Sequence, residues 1–215
     1  MKKKPGDYSA YVVDMDGTLY FQKPVRIKMA MELLKYYLLH PFRINELLAI
    51  KKYREVREEG MFSEEEGFED KQYDHVSSLY NIPPDKFREI QEYWMIQCPL
   101  KYISMYKNYD LIDFLEKKIS KGSTVTVYSD YPVENKLEAV GLKPTYYFSP
   151  ADPEINCMKP DSKGLKYIIS LMNVNEEDIL FIGDRMEKDG ECAKKCGVDF
   201  YLVGRNFKRD FLSLY

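Results

Sequence analysis

Two aspartates two positions apart follow an apolar run near the beginning of the chain. The stretch Tyr11–Tyr20 reads YVVDMDGTLY. Asp14 ends the apolar run, and Asp16 follows two positions later, before Gly17 and Thr18. The strand-forming residues predict a buried strand, and the glycine predicts a tight turn. Two such acids can act as an ionised nucleophile and a general acid and base, if their environments separate their pKa values. The same pair also occurs in loops of solvated acids, so other residues must decide.

Further polar residues follow later predicted strands. Ser129 comes directly after TVTVY, and Asp184 follows ILFIG with Asp189 five residues on. Lys159 lies in a loop before a predicted helix. Because ligands bind at the carboxyl ends of parallel strands, these side chains are expected at one site. There a hydroxyl could hold an anion, a lysine could neutralise a carboxylate and a phosphoryl oxygen, and clustered carboxylates suit Mg²⁺.

Each of these residues also has an ordinary interpretation when it is taken alone. Ser129 could be a turn or cap residue, Lys159 a surface lysine, and Asp184 the cap of the following helix. Four such sites in this order, each at a strand end or in the following loop, are hard to explain as accident. Cys192 and Cys196 lie one helical turn apart, but no further ligand pair completes a zinc site, and a packed helix face is predicted.

The order of the predicted elements indicates an α/β fold with a helical insertion. Residues from about 25 to 97 show helical patterns, with Asp85 as a predicted N-cap, and from about 109 helices alternate with strands. This alternation predicts a Rossmann-like parallel sheet covered on both faces. Residues 1–21 and 106–215 are expected to form the α/β core domain, and residues 22–105 the helical domain. The junctions are predicted near Phe21–Pro24 and Cys98–Lys107.

Composition excludes several classes of function. The 215 residues carry 32 Lys and Arg against 35 Asp and Glu, and a net charge of −3 leaves no basic footprint for a nucleic acid polymer. No stretch reaches the roughly 20 apolar residues of a membrane span. The opening MKKK leads into Pro5 and Gly6 rather than an apolar core, so it is not expected to be a signal peptide. The four cysteines are scattered, and reduced thiols in the cytoplasm are expected.

Taken together, these motifs resemble those of the haloacid dehalogenase-like (HAD) superfamily over nearly the whole chain. DMDGT at 14–18 is similar to the first motif, Ser129 to the second, Lys159 with Pro160 to the third, and GDRMEKD at 183–189 to the acidic fourth. The helical insertion between the first two motifs resembles the C1-type cap of phosphoglycolate phosphatase-like members. The resemblance implies a HAD-like core with an inserted cap domain.

The resemblance also implies roles for individual residues. Asp14 would attack phosphorus and form an aspartyl phosphate. Asp16 would protonate the leaving oxygen and then deprotonate the water that hydrolyses the intermediate. Thr18, Ser129 and Lys159 would orient and neutralise the phosphoryl group.

Mg²⁺ is the cofactor that the resemblance implies. It would be held by the carboxylates of Asp14 and Asp184 and by the backbone carbonyl of Asp16, with Asp189 assisting directly or through water. Closure of the helical domain would exclude water and supply contacts to the substrate.

The acid at Asp16 favours phosphate-ester hydrolysis, because the dehalogenating members lack an acid there. The function implied is a Mg²⁺-dependent phosphatase acting on a small phosphorylated metabolite. A catalytically idle HAD-like binding protein and a phosphomutase are the alternatives. Ser129 is followed by Asp130, where many relatives carry Asn, so this carboxylate is expected to turn away from the phosphate or to alter leaving-group recognition. Specificity is expected from the helical domain, with these candidates: Arg43, Lys51, Arg54, His75 and Trp94.

Overall fold

A computed structural model describes residues 3–62, 65 and 67–204 of the chain. The chain divides into two compact units. One consists of Met1–Gln22 together with Ile103–Tyr215, and the other of Lys23–Tyr102. The first contains the sheet, and the second is helical. In the part of the chain that the structure describes, no helix combines the length and the apolar character needed to cross a membrane.

The first unit is built on a five-stranded parallel sheet with the order β3-β2-β1-β4-β5. The sequence prediction of a parallel α/β fold is confirmed. In the centre of the sheet, Val13 of β1 pairs with Val127 of β2 and with Ile182 of β4. These three strands therefore end at nearly the same level. The strands are β1 (Ala10–Val13), β2 (Thr124–Tyr128), β3 (Tyr146–Phe148), β4 (Ile179–Gly183) and β5 (Asp199–Leu202).

The strands β1 and β4 consist of apolar residues and tyrosine because both faces of the sheet are covered. All four residues of β1 and all five of β4 are buried, as expected for strands inside a parallel sheet. Val12, Tyr128 and Phe181 pack in one core with Leu165 and Ile168 of the helix α8. The helices of this unit are α6 (Tyr109–Ser120), α7 (Glu134–Val140), α8 (Lys163–Met172) and α9 (Glu191–Lys195).

The second unit has its own apolar core and a buried arginine. Tyr53 and Phe87 belong to this core, and the guanidinium of Arg57 donates to Glu69 at 2.6 Å and to Gln72 at 3.3 Å. Arg57 thereby ties α2 to α3. The helices of this unit are α1 (Gln22–Leu39), α2 (Ile44–Glu58), α3 (Phe68–Tyr80) and α4 (Pro84–Gln91). The helix α5 (Leu100–Met105) begins in this unit and ends in the first.

Several local predictions differ from the structure. Asp85 is not the N-cap of α4, since Pro83 takes that position and Asp85 lies in the first turn, where a carboxylate still favours the helix dipole. Trp94 lies in a π-helical segment, Glu92–Gln97, beyond the end of α4. The predicted junction Cys98–Lys107 contains α5. A second π-helical segment, Met186–Gly190, precedes α9. One inserted residue produces a π-turn, and apolar spacing does not reveal it.

Candidate active site

Asp14 is the first residue beyond β1, and its carboxylate is buried in the sheet edge. Its backbone N–H donates to the carbonyl of Ile182 at 2.9 Å, which extends the ladder by one residue. Thr18 donates its hydroxyl to Asp14 Oδ2 at 3.1 Å, and Lys159 Nζ lies 2.6 Å from Asp14 Oδ1. Both carboxylate oxygens are therefore fixed by side chains from the turn and from a distant loop.

Lys159 is almost completely buried and bridges two acids. Its ammonium lies 2.6 Å from Asp14 Oδ1 and 2.6 Å from Asp189 Oδ1, and it also donates to the carbonyl of Tyr128 at 3.2 Å. Burial would lower the pKa of Lys159, but the charges of Asp14, Asp189 and Asp130 outweigh it and hold that pKa well above the usual value. Lys159 is a fixed cation within the carboxylate cluster.

One lysine does not balance the acids around it. Burial raises the pKa of Asp14 well above its usual value. Lys159 opposes this rise, whereas the charges of Asp189, Asp184 and Asp16 add to it. The site thus carries an excess of negative charge, which a bound cation would neutralise.

The carboxylates of Asp14, Asp184 and Asp189 fit a divalent metal ion. One oxygen from each lies within 4.8 Å of the others. Asp184 Oδ1 is buried and has no hydrogen-bond partner. Burial, followed by the charge of Asp189, raises the pKa of Asp184 to about 6. An unpartnered buried carboxylate oxygen beside two other carboxylates is the hard oxygen environment that Mg²⁺ prefers.

Gly17 permits the close approach that this arrangement needs. Its φ is +101°, and a Cβ atom at this position would overlap the Asp184 carboxylate. Only glycine satisfies both conditions. The DMDG turn therefore brings the Asp14 loop and the end of β4 together.

Asp16 occupies a separate cage of donors, centred on Lys136. Lys136 Nζ lies 2.7 Å from both carboxylate oxygens, the Tyr20 hydroxyl donates to Oδ1, and the Ser129 hydroxyl donates to Oδ2 at 3.3 Å. Burial would raise the pKa of Asp16, but the charge and hydrogen bonds of Lys136, followed by Tyr20, lower it below the usual value. Asp14 and Asp16, two residues apart, are thus shifted in opposite directions.

The side chains of Ser129 and Asp130, directly after β2, contact different groups. The Ser129 hydroxyl accepts from the Tyr131 N–H at 3.2 Å while it donates to Asp16. The Asp130 carboxylate accepts from the Lys159 backbone N–H at 2.9 Å and lies 3.4 Å from Lys188 Nζ. Asp130 therefore holds the Lys159 loop in place, and its charge is compensated by lysine.

All seven residues predicted from the sequence lie at the carboxyl edge of the sheet. Five belong to the carboxylate cluster around Lys159, namely Asp14, Thr18, Lys159, Asp184 and Asp189, and Asp16 and Ser129 form the neighbouring group with Lys136. Sequence reasoning missed Lys136 and Tyr20, which hold Asp16, and Asn108, whose side chain donates to the Thr18 carbonyl at 3.2 Å. The spacing of Lys136, seven residues after Ser129 in the first turn of α7, was the available signal, but a lysine there is usually solvent-exposed.

The candidate specificity residues belong to the helical unit. Arg43 and Trp94 line a cleft of about 290 Å³, together with Tyr36 and Tyr93. The other three candidates do not line this cleft: Lys51, Arg54 and His75.

Solved structures with the same architecture include hydrolases of two kinds. The chain is 15% identical to the HAD-hydrolase YfnB from Bacillus subtilis bound to magnesium, with a TM-score of 0.60, 94% of this chain covered and 89% of that one. It is 19% identical to a HAD phosphatase from Thermococcus onnurineus, with a TM-score of 0.56 and coverages of 92% and 87%. It is 13% identical to a 2-haloacid dehalogenase from Pseudomonas syringae pv. Tomato DC3000, with a TM-score of 0.62 and coverages of 91% and 86%.

At these identities the structural matches show the fold alone. Curated proteins gave no match to the chain. The family model described as haloacid dehalogenase-like hydrolase matches residues 11–203, which include every residue of the network. The chain belongs to the haloacid dehalogenase-like hydrolase family.

Proposed function

We propose that this protein is a Mg²⁺-dependent phosphatase that hydrolyses a phosphate monoester of a small cytoplasmic metabolite through an aspartyl phosphate on Asp14. The observation that carries the proposal is the second carboxylate, Asp16, held by Lys136 beside the nucleophile. An alkoxide leaving group needs a proton, whereas a halide leaves without one. An acid and base positioned next to Asp14 therefore supports ester hydrolysis over carbon–halogen cleavage.

In the first step the Asp14 carboxylate attacks phosphorus, the bond from phosphorus to the ester oxygen breaks, and Asp16 gives that oxygen a proton. Lys136 and Tyr20 keep the resting Asp16 ionised. Asp16 takes up this proton from solvent as the substrate binds, because the negative charge of the bound phosphoryl group favours the protonated form. Thr18, Ser129 and Lys159 supply hydroxyl and ammonium groups for the phosphoryl oxygens.

In the second step Asp16, ionised again, takes a proton from water as the water attacks phosphorus. The bond to Asp14 breaks, and inorganic phosphate leaves. Once phosphate has left, the low pKa of Asp16 returns this proton to solvent, and Lys159 stays with the Asp14 carboxylate as it is released.

The residues that would hold Mg²⁺ are Asp14, Asp184 and Asp189, with the backbone carbonyl of Asp16 as a further oxygen. A bound Mg²⁺ would supply positive charge that keeps Asp14 ionised and offsets the charge of the phosphate. In this proposal residues 22–105, which contain the helical unit, serve as a cap domain that contacts the leaving group.

Phosphate release from a panel of sugar phosphates, phosphoglycolate and nucleotides tests the proposal. We expect release that depends on Mg²⁺, stops with a chelator and is abolished in Asp14→Asn. Asn is nearly isosteric and cannot attack phosphorus as a carboxylate. Release that survives Asp14→Asn would exclude the covalent mechanism. No release from any compound would favour a binding protein without catalysis.

A further inference from the structure

The helix α1 exposes a row of large apolar side chains. Ile27, Met31, Leu34 and Leu38, here called the α1 stripe, are 54%, 60%, 61% and 71% exposed. The opposite face of the same helix is buried through Val25, Met29 and Tyr37. A surface helix normally presents a polar face to water, so apolar side chains on both faces indicate a second contact surface.

The spacing of the stripe is that of a helix that packs along another helix. Its members are separated by four, three and four residues, which is the alternation of a heptad seam. The 4-3-4 pattern reads the same in both directions. A second copy of α1, placed antiparallel about a two-fold axis between Met31 and Leu34, therefore pairs Met31 with Leu34 and Ile27 with Leu38. Such self-complementarity is what a two-fold interface requires.

The exposed apolar area of this surface is also large enough for a dimer interface. Leu39 and Phe42, directly beyond the stripe, are 71% and 100% exposed. With roughly 200 Å² for each large side chain, the stripe and these two residues expose about 800 Å² of apolar surface, which is about what each partner contributes to a standard interface.

Lysines flank the stripe on one side only, at Lys28 and Lys35. A two-fold axis between Met31 and Leu34 brings Lys28 of one copy near Lys35 of the other on this side. These long side chains can extend into water, so their repulsion costs little. The one acidic residue of α1, Glu32, is already held by Lys101 and Tyr102. We propose that the protein is a homodimer in which the α1 stripes of two copies pack antiparallel.

Light scattering coupled to size exclusion, over a concentration series of the full chain, tests this proposal. We expect a dimer for the wild type and for the control variant Arg26→Ala, which lies on α1 outside the stripe. Leu34→Lys is expected to be a monomer, because it places a charge at the centre of the seam. Circular dichroism identifies any variant that fails to fold. A wild type that is monomeric throughout, or a dimer that Leu34→Lys leaves intact, would overturn the proposal.

Cysteine crosslinking determines the direction of the helices. The antiparallel register predicts disulfide-linked dimers for the double variant Met31→Cys/Leu34→Cys and none for Ile27→Cys/Met31→Cys. Disulfide-linked dimers of Ile27→Cys/Met31→Cys would overturn the register, because only parallel helices bring these positions together. A monomeric wild type that sediments with anionic lipid vesicles, but not after Leu34→Lys, would overturn the dimer and assign the stripe to a membrane surface.

Discussion

At the scale of single residues, Lys136 controls the state of Asp16. It is buried and contacts both oxygens of that carboxylate at 2.7 Å. A carboxylate bound in this way cannot rotate freely, so its lone pairs stay directed to one place. We therefore regard Lys136 as the residue that positions Asp16 for proton transfer.

Replacement of this lysine is expected to impair the chemistry more than substrate binding. In Lys136→Met, kcat should fall on the order of 10²-fold, with KM little changed. Without the Lys136 charge the pKa of Asp16 rises, so the acidic limb of kcat should move to higher pH when the second step, in which Asp16 acts as a base, limits turnover. Steady-state kinetics over a pH series measures both effects. Lys136→Arg should recover part of the rate, and the exposed Lys143→Met serves as the control. An acidic limb at the same pH in Lys136→Met and in the wild type would contradict this role for Lys136.

The carboxylate cluster predicts opposite effects of pH on stability with and without metal. The pKa of Asp184 is raised to about 6 in the metal-free protein, so the folded state retains its proton to higher pH than the unfolded state does. The contribution of Asp184 to stability is thus full below about pH 4 and is lost as pH rises through about 6. Saturating Mg²⁺ should restore stability above that pH, because the ion binds the deprotonated cluster.

Thermal melts in chelator and in Mg²⁺, near pH 5 and near pH 8, measure this effect. Asp184→Asn should melt higher than the wild type in chelator near pH 8 and should lose most of the Mg²⁺-dependent increase in Tm. Asp178→Asn, an acid just before β4, is the control. An equal Mg²⁺-dependent increase in Asp184→Asn would show that the metal binds elsewhere.

At the scale of elements, the strand ends were predictable and the local helix geometry was not. Apolar runs such as TVTVY and ILFIG are distinctive because both faces of a parallel sheet are buried. Consequently the sites that follow them, including Ser129 and Asp184, could be placed at one edge. The cap position at Pro83 and the two π-helical segments depend on single backbone hydrogen bonds, to which apolar periodicity is insensitive. Lys136 was missed because burial of a lysine depends on tertiary partners.

The link between α2 and α3 also belongs to this scale. Arg57 is almost fully buried between Glu69 and Gln72, and its removal leaves polar groups without their donor. We expect Arg57→Ala to lower the free energy of unfolding by about 2–4 kcal/mol, with part of the loss offset by hydration of the partly exposed Glu69. Urea unfolding at neutral pH measures the change. Lys86→Ala removes the exposed pair with Glu89 and should cost about 0–1 kcal/mol. Similar losses in both variants would contradict the argument from burial.

At the scale of the whole molecule, an α/β unit contains the network of acids and lysines, and a helical unit is inserted after β1. The covalent chemistry proposed at Asp14 and Asp16 uses residues of the first unit. The proposed dimer depends only on α1 of the second. The two proposals can therefore fail separately, since one concerns a covalent intermediate and the other an oligomeric state.

The central claim is that Asp14 becomes phosphorylated while Asp16 is needed to remove the phosphate. A burst experiment with Asp16→Asn and p-nitrophenyl phosphate tests both parts, because nitrophenolate leaves without a proton donor whereas hydrolysis of the intermediate needs a base. We predict one equivalent of nitrophenolate per active site followed by little turnover, with the phosphate found on Asp14 by mass spectrometry of the quenched protein. Steady turnover without a burst, or phosphate on another residue, would contradict the mechanism.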